Sequence, residues 1–253
     1  MTAAFPPLPV AIRCLAATYY DGFHIKPHRH HWGQLIYAGA GAMRVRANGM
    51  LWIVPPARAV WVPAGVEHEI HGLGDFAMRT LYFIGGLNAG LPGECCALDV
   101  TPLLRELVLE AVERCPIAED DAAAMRLVEV AIDRIAAART LPLQLPLPRD
   151  PRALRLAEAL REDPASTAGL AELAREAGAS PRTIQRLFLA ETGLPFAQWR
   201  QRLRLLHGAT VLGAGGSVTE AGLEAGYAGT SAFIAAFRRH FGFPPSRLGS
   251  AIP

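Results

Sequence analysis

The C-terminal part of this chain carries one short pattern twice, so that region must fold as two like units packed side by side. Ala177-Gly178 recurs as Ala225-Gly226, an offset of 48 residues, while Phe188, Gly193 and Pro195 recur as Phe237, Gly242 and Pro244, an offset of 49. The mismatch puts one extra residue in the second turn. Each copy reads as a helix, a glycine-bearing turn, a second helix, a glycine stop and a proline restart, which is the pattern of a helix-turn-helix. Ser180-Pro181 supplies the cap and first residue of a helix, and Ser217-Val218-Thr219-Glu220 is a capping box. Gly178 and Gly226 fall where a helix must end in a left-handed residue. Between the copies, PFAQWRQRLRLLHGATVLG predicts about 18 residues of helix, roughly 27 Å at 1.5 Å each. That span can hold two reading helices about one DNA turn apart, roughly 34 Å.

The run from Val218 to Ser246, VTEAGLEAGYAGTSAFIAAFRRHFGFPPS, resembles the signature of AraC/XylS-type regulators, and the resemblance covers residues 150–249. It departs from the family at Ala221-Gly222, where Ile-Ala is usual, and at Leu248-Gly249, where Tyr-Arg is usual. The resemblance implies sequence-specific binding to double-stranded promoter DNA. By position, Arg182, Thr183, Gln185 and Arg186 would face DNA in the first unit, and Thr230, Ser231, Arg238 and Arg239 in the second. Arg182, Gln185 and Arg186 share a helix face at i, i+3 and i+4. Arg suits guanine O6/N7 and Gln suits adenine N6/N7. The matching face of the second unit offers only Thr230, Ser231 and Ala235, so the first unit is expected to read bases and the second to grip the backbone through Arg238 and Arg239.

Residues 10–84 have a different texture, with short strands punctuated by Gly, Pro and Asn48-Gly49, a favoured tight-hairpin pair. Six of the eight histidines lie between His24 and His71. His28 and His30 are two apart, on one face of a strand. Gly22-x5-His28-x-His30-x3-Gln34-x6-Gly41 resembles the first cupin motif, and Pro63-x-Gly65-x2-His68 the core of the second. The expected fold class is therefore α+β: an N-terminal cupin β-barrel, helices, a Pro-rich linker and a C-terminal all-α domain with two helix-turn-helix units. The cupin resemblance implies a metal set of His28, His30, Gln34 and His68. Gln34 stands where a Glu is usual. Three imidazoles and an amide oxygen suit a divalent Zn, Ni, Co, Mn or Fe ion. The other reading is that these histidines line a pocket for a small-molecule effector. His31 and His71 are read as neighbours rather than ligands. Trp32, Tyr37, Trp52, Trp61 and Tyr82 either line that pocket or fill the core.

The expected divisions are 1–98 for the sensor barrel, 99–139 for a helical pair, 140–150 for the linker and 151–253 for the DNA-binding domain. In 101–139, Thr101-Pro102 marks a helix start, a capping hydroxyl followed by a proline. Helical stripes at Leu103, Leu104, Leu107, Val108, Ala111 and Val112, then at Leu127, Val128, Ala131, Ile132 and Ile135, serve either packing or a homodimer interface. TLPLQLPLPRDP carries four prolines and predicts an extended, semi-rigid connector.

The net charge of +2 hides an asymmetry, because residues from Arg149 onward hold 13 Arg against 9 acidic residues. That excess fits a polyanion partner. No apolar run reaches the ~20 residues of a membrane span. The start shows no export signal, so a cytoplasmic location and reduced thiols at Cys14, Cys95, Cys96 and Cys115 are expected. The sum is a one-component, effector-responsive transcription regulator. VPPARAVWVPAGVEHEI resembles cupin-type regulators associated with exporters, which implies an efflux or detoxification gene as target. Two alternatives stand: a regulator whose effector is the metal itself, and a cupin metalloenzyme with a helical appendage. Gln34 and the DNA-reading helix argue against the enzyme.

Overall fold

The computed structural model describes residues 10–249, so the first nine residues, read above for an export signal, lie outside it. Two long strands organise the first half: β3 (Gly33–Ala47) and β6 (His68–Phe83). They pair antiparallel along both their halves, Gly33 with Phe83 at one end and Ala47 with His68 at the other, and the register breaks between Ala38 and Ala42. Gly41 sits at that break with φ +65°, and a Cβ there would lie 2.1 Å from the Asp75 carbonyl oxygen, so only glycine fits.

The break divides the sheet. On one side β1 (Val10–Tyr19), β5 (Arg58–Val62), β7 (Cys96–Asp99) and β9 (Thr140–Leu141) extend it; on the other, β2 (His24–His28), β4 (Met50–Val54) and β10 (Gln144–Pro146) do so. The two-residue β8 (Ile117–Ala118) adds to β1. Ile36, Ala38, Val60, Val62 and Met78 from one side and Met43, Val45, Ile70 and Phe76 around and beyond the break share one interior. Asn48-Gly49 turns β3 into β4 with both residues at positive φ, as the hairpin signal predicts.

The outer face around Leu35, Tyr37, Trp61, Leu81 and Phe83 is covered by α1 (Pro102–Arg114) and α2 (Ala122–Ala136). Leu104, Val108, Ala111, Val128, Ala131 and Ile135 of the expected stripes are buried, together with Ala124, and Val112, Leu127 and Ile132 pack partly buried against this cluster. Leu103, expected on the first stripe, instead remains exposed, as does Val130.

Two expectations are corrected. The segment 140–150 is extended but is not a free connector, since β9 and β10 are strands of the sheet and Leu141, Leu143, Leu145 and Leu147 are buried. Leucine at every second position makes it an edge strand, where a proline without an N–H is tolerated. The thiols also differ: Cys14 and Cys115, 101 residues apart, form a disulfide because β1 runs beside the end of α1. Cys95 and Cys96 are free, and burial pushes both thiols up to about 11, away from reactivity at neutral pH.

The second half is helical. After α3 (Pro151–Glu162) come α4 (Leu170–Glu176), α5 (Pro181–Thr192), the long α6 (Phe196–Gly213), α7 (Val218–Glu224), α8 (Thr230–Phe241) and α9 (Ser246–Gly249). The repeat is visible as a seven-residue helix followed by a twelve-residue helix, twice. The first turn spans residues 177–180 and the second 225–229, the extra residue that the offsets require. Ser180 caps α5, the Ser217–Glu220 capping box opens α7, and Gly193 and Gly242 end α5 and α8 in the left-handed region. The helical core is continuous with the sheet interior through β10, and the Trp199 indole on α6 donates to the Pro146 carbonyl at 2.7 Å.

Candidate functional site

Four polar side chains meet between the two sides of the sheet. His28 ends β2, His30 lies in the loop after it, Gln34 starts β3 and His68 starts β6. One ring nitrogen of each histidine lies within 4.8 Å of the others. Gln34 and His68 are almost fully buried, and His28 and His30 half-buried. The structure thus brings together all four residues picked from the sequence.

The hydrogen bonds around the cluster limit what it can bind. The Nδ1 atoms of His28, His30 and His68 each face a backbone carbonyl, of Lys26, Trp32 and Val66, at 2.9, 2.8 and 2.9 Å. A neutral imidazole that donates from Nδ1 presents a lone pair at Nε2. The Nε2 atoms of His30 and His68 point at Gln34 Oε1, 3.0 and 2.8 Å away.

The orientation of the Gln34 amide follows from Thr80, which the sequence reading did not single out. Thr80 is fully buried, and its hydroxyl donates to the Leu35 carbonyl at 2.9 Å. Its one proton used, it must accept from Gln34 Nε2 at 2.8 Å, which leaves Oε1 facing the histidines. With each Nδ1 donating to its carbonyl, acceptors converge with no donor between them, an arrangement that a bound cation would satisfy. Burial, with His28 and His30 alongside, pushes the His68 imidazole down to about 4, so near neutral pH His68 carries no proton that could fill that role. The donor set suits a borderline divalent ion.

The aromatic residues divide. Tyr37 and Trp61 are buried under the helices and Trp52 is buried in the interior. Tyr82 and Trp32 stand beside the cluster, with ring centroids 5.4 and 5.7 Å from His30.

On the helical half, Arg182, Gln185 and Arg186 lie exposed on α5, opposite buried Ile184, Leu187 and Phe188. Arg238 and Arg239 lie exposed on the last turn of α8 and Ser231 on its first. Among the described residues, none of these four arginines makes an ion pair. Thr183 and Thr230 are tied down: Thr183 hydrogen-bonds the Ser180 cap at 2.9 Å, and Thr230 donates to Thr219 at 3.3 Å. The surplus of arginine is partly structural, since Arg200 and Arg204 hold the carbonyls of the segment between α3 and α4.

A family model described as an AraC-like ligand binding domain matches residues 9–194, and one described as a helix-turn-helix domain matches residues 173–250. The HTH-type transcriptional regulator NimR of Escherichia coli is 34% identical over 220 residues, covering 87% of this chain and 80% of that protein. RipA, an HTH-type transcriptional regulator of Corynebacterium glutamicum, is 40% identical over 101 residues, 40% of this chain and 30% of that protein. Among solved structures, unsaturated fatty acid bound ToxT from Vibrio cholerae aligns over 96% of both chains with 9% identity and a TM-score of 0.39.

Proposed function

The chain belongs to the AraC-type family of transcription regulators, with a ligand-binding region followed by a DNA-binding helix-turn-helix region, and from that premise we propose that it is a one-component regulator whose cupin-type barrel holds a divalent transition metal. One observation carries the metal: the nitrogen lone pairs of His30 and His68 converge on the oxygen of Gln34, whose amide is fixed by Thr80. His28, His30, Gln34 and His68 would hold the ion, and the carbonyls of Lys26, Trp32 and Val66 set the tautomer that presents Nε2. With Gln in place of Glu the site keeps all its donors but loses a charge, which favours holding a ligand over activating one. That supports a sensor over a metalloenzyme.

In the DNA-binding region, the two seven-and-twelve helix pairs are helix-turn-helix units joined by α6. Arg182, Gln185 and Arg186 read base edges, and Arg238 and Arg239 hold phosphates. The resemblance of residues 54–70 to exporter-linked regulators supports an efflux or detoxification gene as target. A second copy of the chain, meeting the exposed sides of α1 and α2 around Leu103 and Val130, is the proposed homodimer partner.

Effector control runs through the shared core. The interior of the sheet and the helical half are one packed cluster, so a ligand that fits one packing better shifts the balance between two arrangements of the DNA-binding helices. Elemental analysis of untagged protein, beside its His30→Ala variant, tests the site. Near-stoichiometric metal that is lost in the variant is expected; no metal in either, even after incubation with divalent ions, would make the histidines pocket walls. Titrating that metal against promoter binding then separates a fixture of the pocket from an effector.

A further inference from the structure

Directly across β6 from the buried cluster lies a second group of potential ligands. The ladder between β2 and β6 pairs His24 with His71, and Glu69 stands two residues before His71 on the same face. Glu69 and His68 are neighbours whose side chains leave the strand on opposite sides, so the two groups are back to back.

The geometry of the outer group is that of an open metal site. His24 Nε2 and His71 Nε2 approach the same oxygen, Glu69 Oε2, at 3.2 and 3.5 Å. The three ligand atoms lie within 4.8 Å of one another. With metal–ligand bonds near 2.0–2.1 Å, the edge of a ligand tetrahedron is about 3.3–3.4 Å, and these separations bracket it. The imidazoles stack with centroids 3.8 Å apart and planes 15° apart, so both aim their outer nitrogen the same way. The other carboxylate oxygen, Oε1, lies 3.7 Å from Arg46, which orients the carboxylate as an outer partner does. His24 and His71 are 36% and 39% exposed at the side chain, against 14% for Glu69, leaving solvent access for water to complete the coordination.

We propose that His24, Glu69 and His71 form a second divalent transition-metal site, on the outer surface of the sheet and independent of the buried histidine cluster. Two imidazoles and one carboxylate with open positions are a recurrent set for Zn, Fe(II), Co, Ni or Mn. The place gives the ion a role. Arg44 and Arg46 are the cross-strand neighbours of His71 and Glu69 on β3, and Arg161 on α3 of the DNA-binding region lies close enough to interact with Arg44, Arg46 and Glu69. Glu69 is thus a counter-charge at the junction between the halves. An ion that takes its charge leaves these arginines facing one another with less compensation, so metal occupancy loosens the junction.

The test is a Zn²⁺ titration of full-length, untagged protein with a competing chelator indicator, comparing wild type, the His24→Ala/His71→Ala double variant, Glu69→Gln and His30→Ala. The double variant is expected to bind one equivalent fewer than wild type, and Glu69→Gln, which keeps the shape, to bind that equivalent at least tenfold more weakly. His30→Ala is expected to retain it, so loss of the buried site and loss of the outer site read separately. Circular dichroism checks that each variant is folded, and the exposed histidines make that the expected result. Equal stoichiometry and affinity in wild type and in the folded double variant would overturn the proposal.

Discussion

At the scale of single residues, the buried cluster depends on Thr80, a side chain that touches no candidate metal. If its hydroxyl fixes the Gln34 amide, Thr80→Val frees that amide to turn its NH2 toward the histidines, replacing a converging acceptor by donors. Metal affinity is then expected to fall by 10–100-fold, the usual cost of losing an outer partner, in a variant that stays folded although loss of the two buried hydrogen bonds lowers its stability by about 1–3 kcal/mol; unchanged affinity would mean that Gln34 holds its orientation by other means. His68 makes a separate statement about pH. With its pKa lowered to about 4 by burial, the metal-free folded protein binds no proton at His68 until well below the range where the unfolded chain does. Between about pH 6.5 and 4 the unfolded state therefore carries more protons, and stability rises with pH through that window. Denaturation in the presence of a chelator should show this slope, and His68→Gln should flatten it. His28, His30, Gln34 and His68 were legible in the sequence through their match to the two cupin motifs, although His30 lies in the loop after β2 and not, as expected, on one strand face with His28. Thr80 was not, since a lone threonine in TLYF has no pattern until the fold brings it under Gln34.

At the scale of elements, capping chemistry was the most readable layer. Thr101-Pro102, Ser180-Pro181 and the Ser217–Glu220 box open α1, α5 and α7 as read, because a cap is set by residues three or four apart. The segment 140–150 misled for the opposite reason: its prolines outweighed its alternating leucines, and only the partner β4 makes it a strand. Gly222, costly in a helix on propensity alone, is explained by packing. Its position opposite Phe233 would bring a Cβ within 3.2 Å of the Phe233 Cβ, so α7 and α8 approach closely there. The ring of the same Phe233 lies against Gly208 on α6, where a Cβ would come within 2.7 Å of it. Gly208→Ala gains helix propensity of about 1 kcal/mol but forces Phe233 out of a packed position, and overpacking of this kind costs about 1–3 kcal/mol. Chemical denaturation should find the variant less stable; a more stable variant would show that the ring moves freely.

At the scale of the whole molecule, the repeat announced two like units and the structure sets them on a common core with the sheet. That continuity was beyond reach of the sequence, because it runs through β10 and through α6, whose apolar residues must serve both halves. The same continuity is the route by which the proposed effector control would reach the DNA-binding helices. Division of labour between the units gives distinct expectations. Arg186→Ala should cost about 1–3 kcal/mol at a preferred site and relax the base preference there. Arg239→Ala should weaken all sequences alike and reduce the salt slope by about one. If Arg239→Ala relaxes base preference and Arg186→Ala does not, the roles are reversed.

The proposal that this chain reads DNA sequence through two spaced units is tested most directly by selection of bound duplexes from a random pool with the full-length protein. Enrichment of a bipartite motif with its parts about 10 base pairs apart, one helical turn, is expected, with loss of information in one part for Arg186→Ala. Binding without enrichment of any sequence over the input pool, at a salt concentration where binding is measurable, would contradict it.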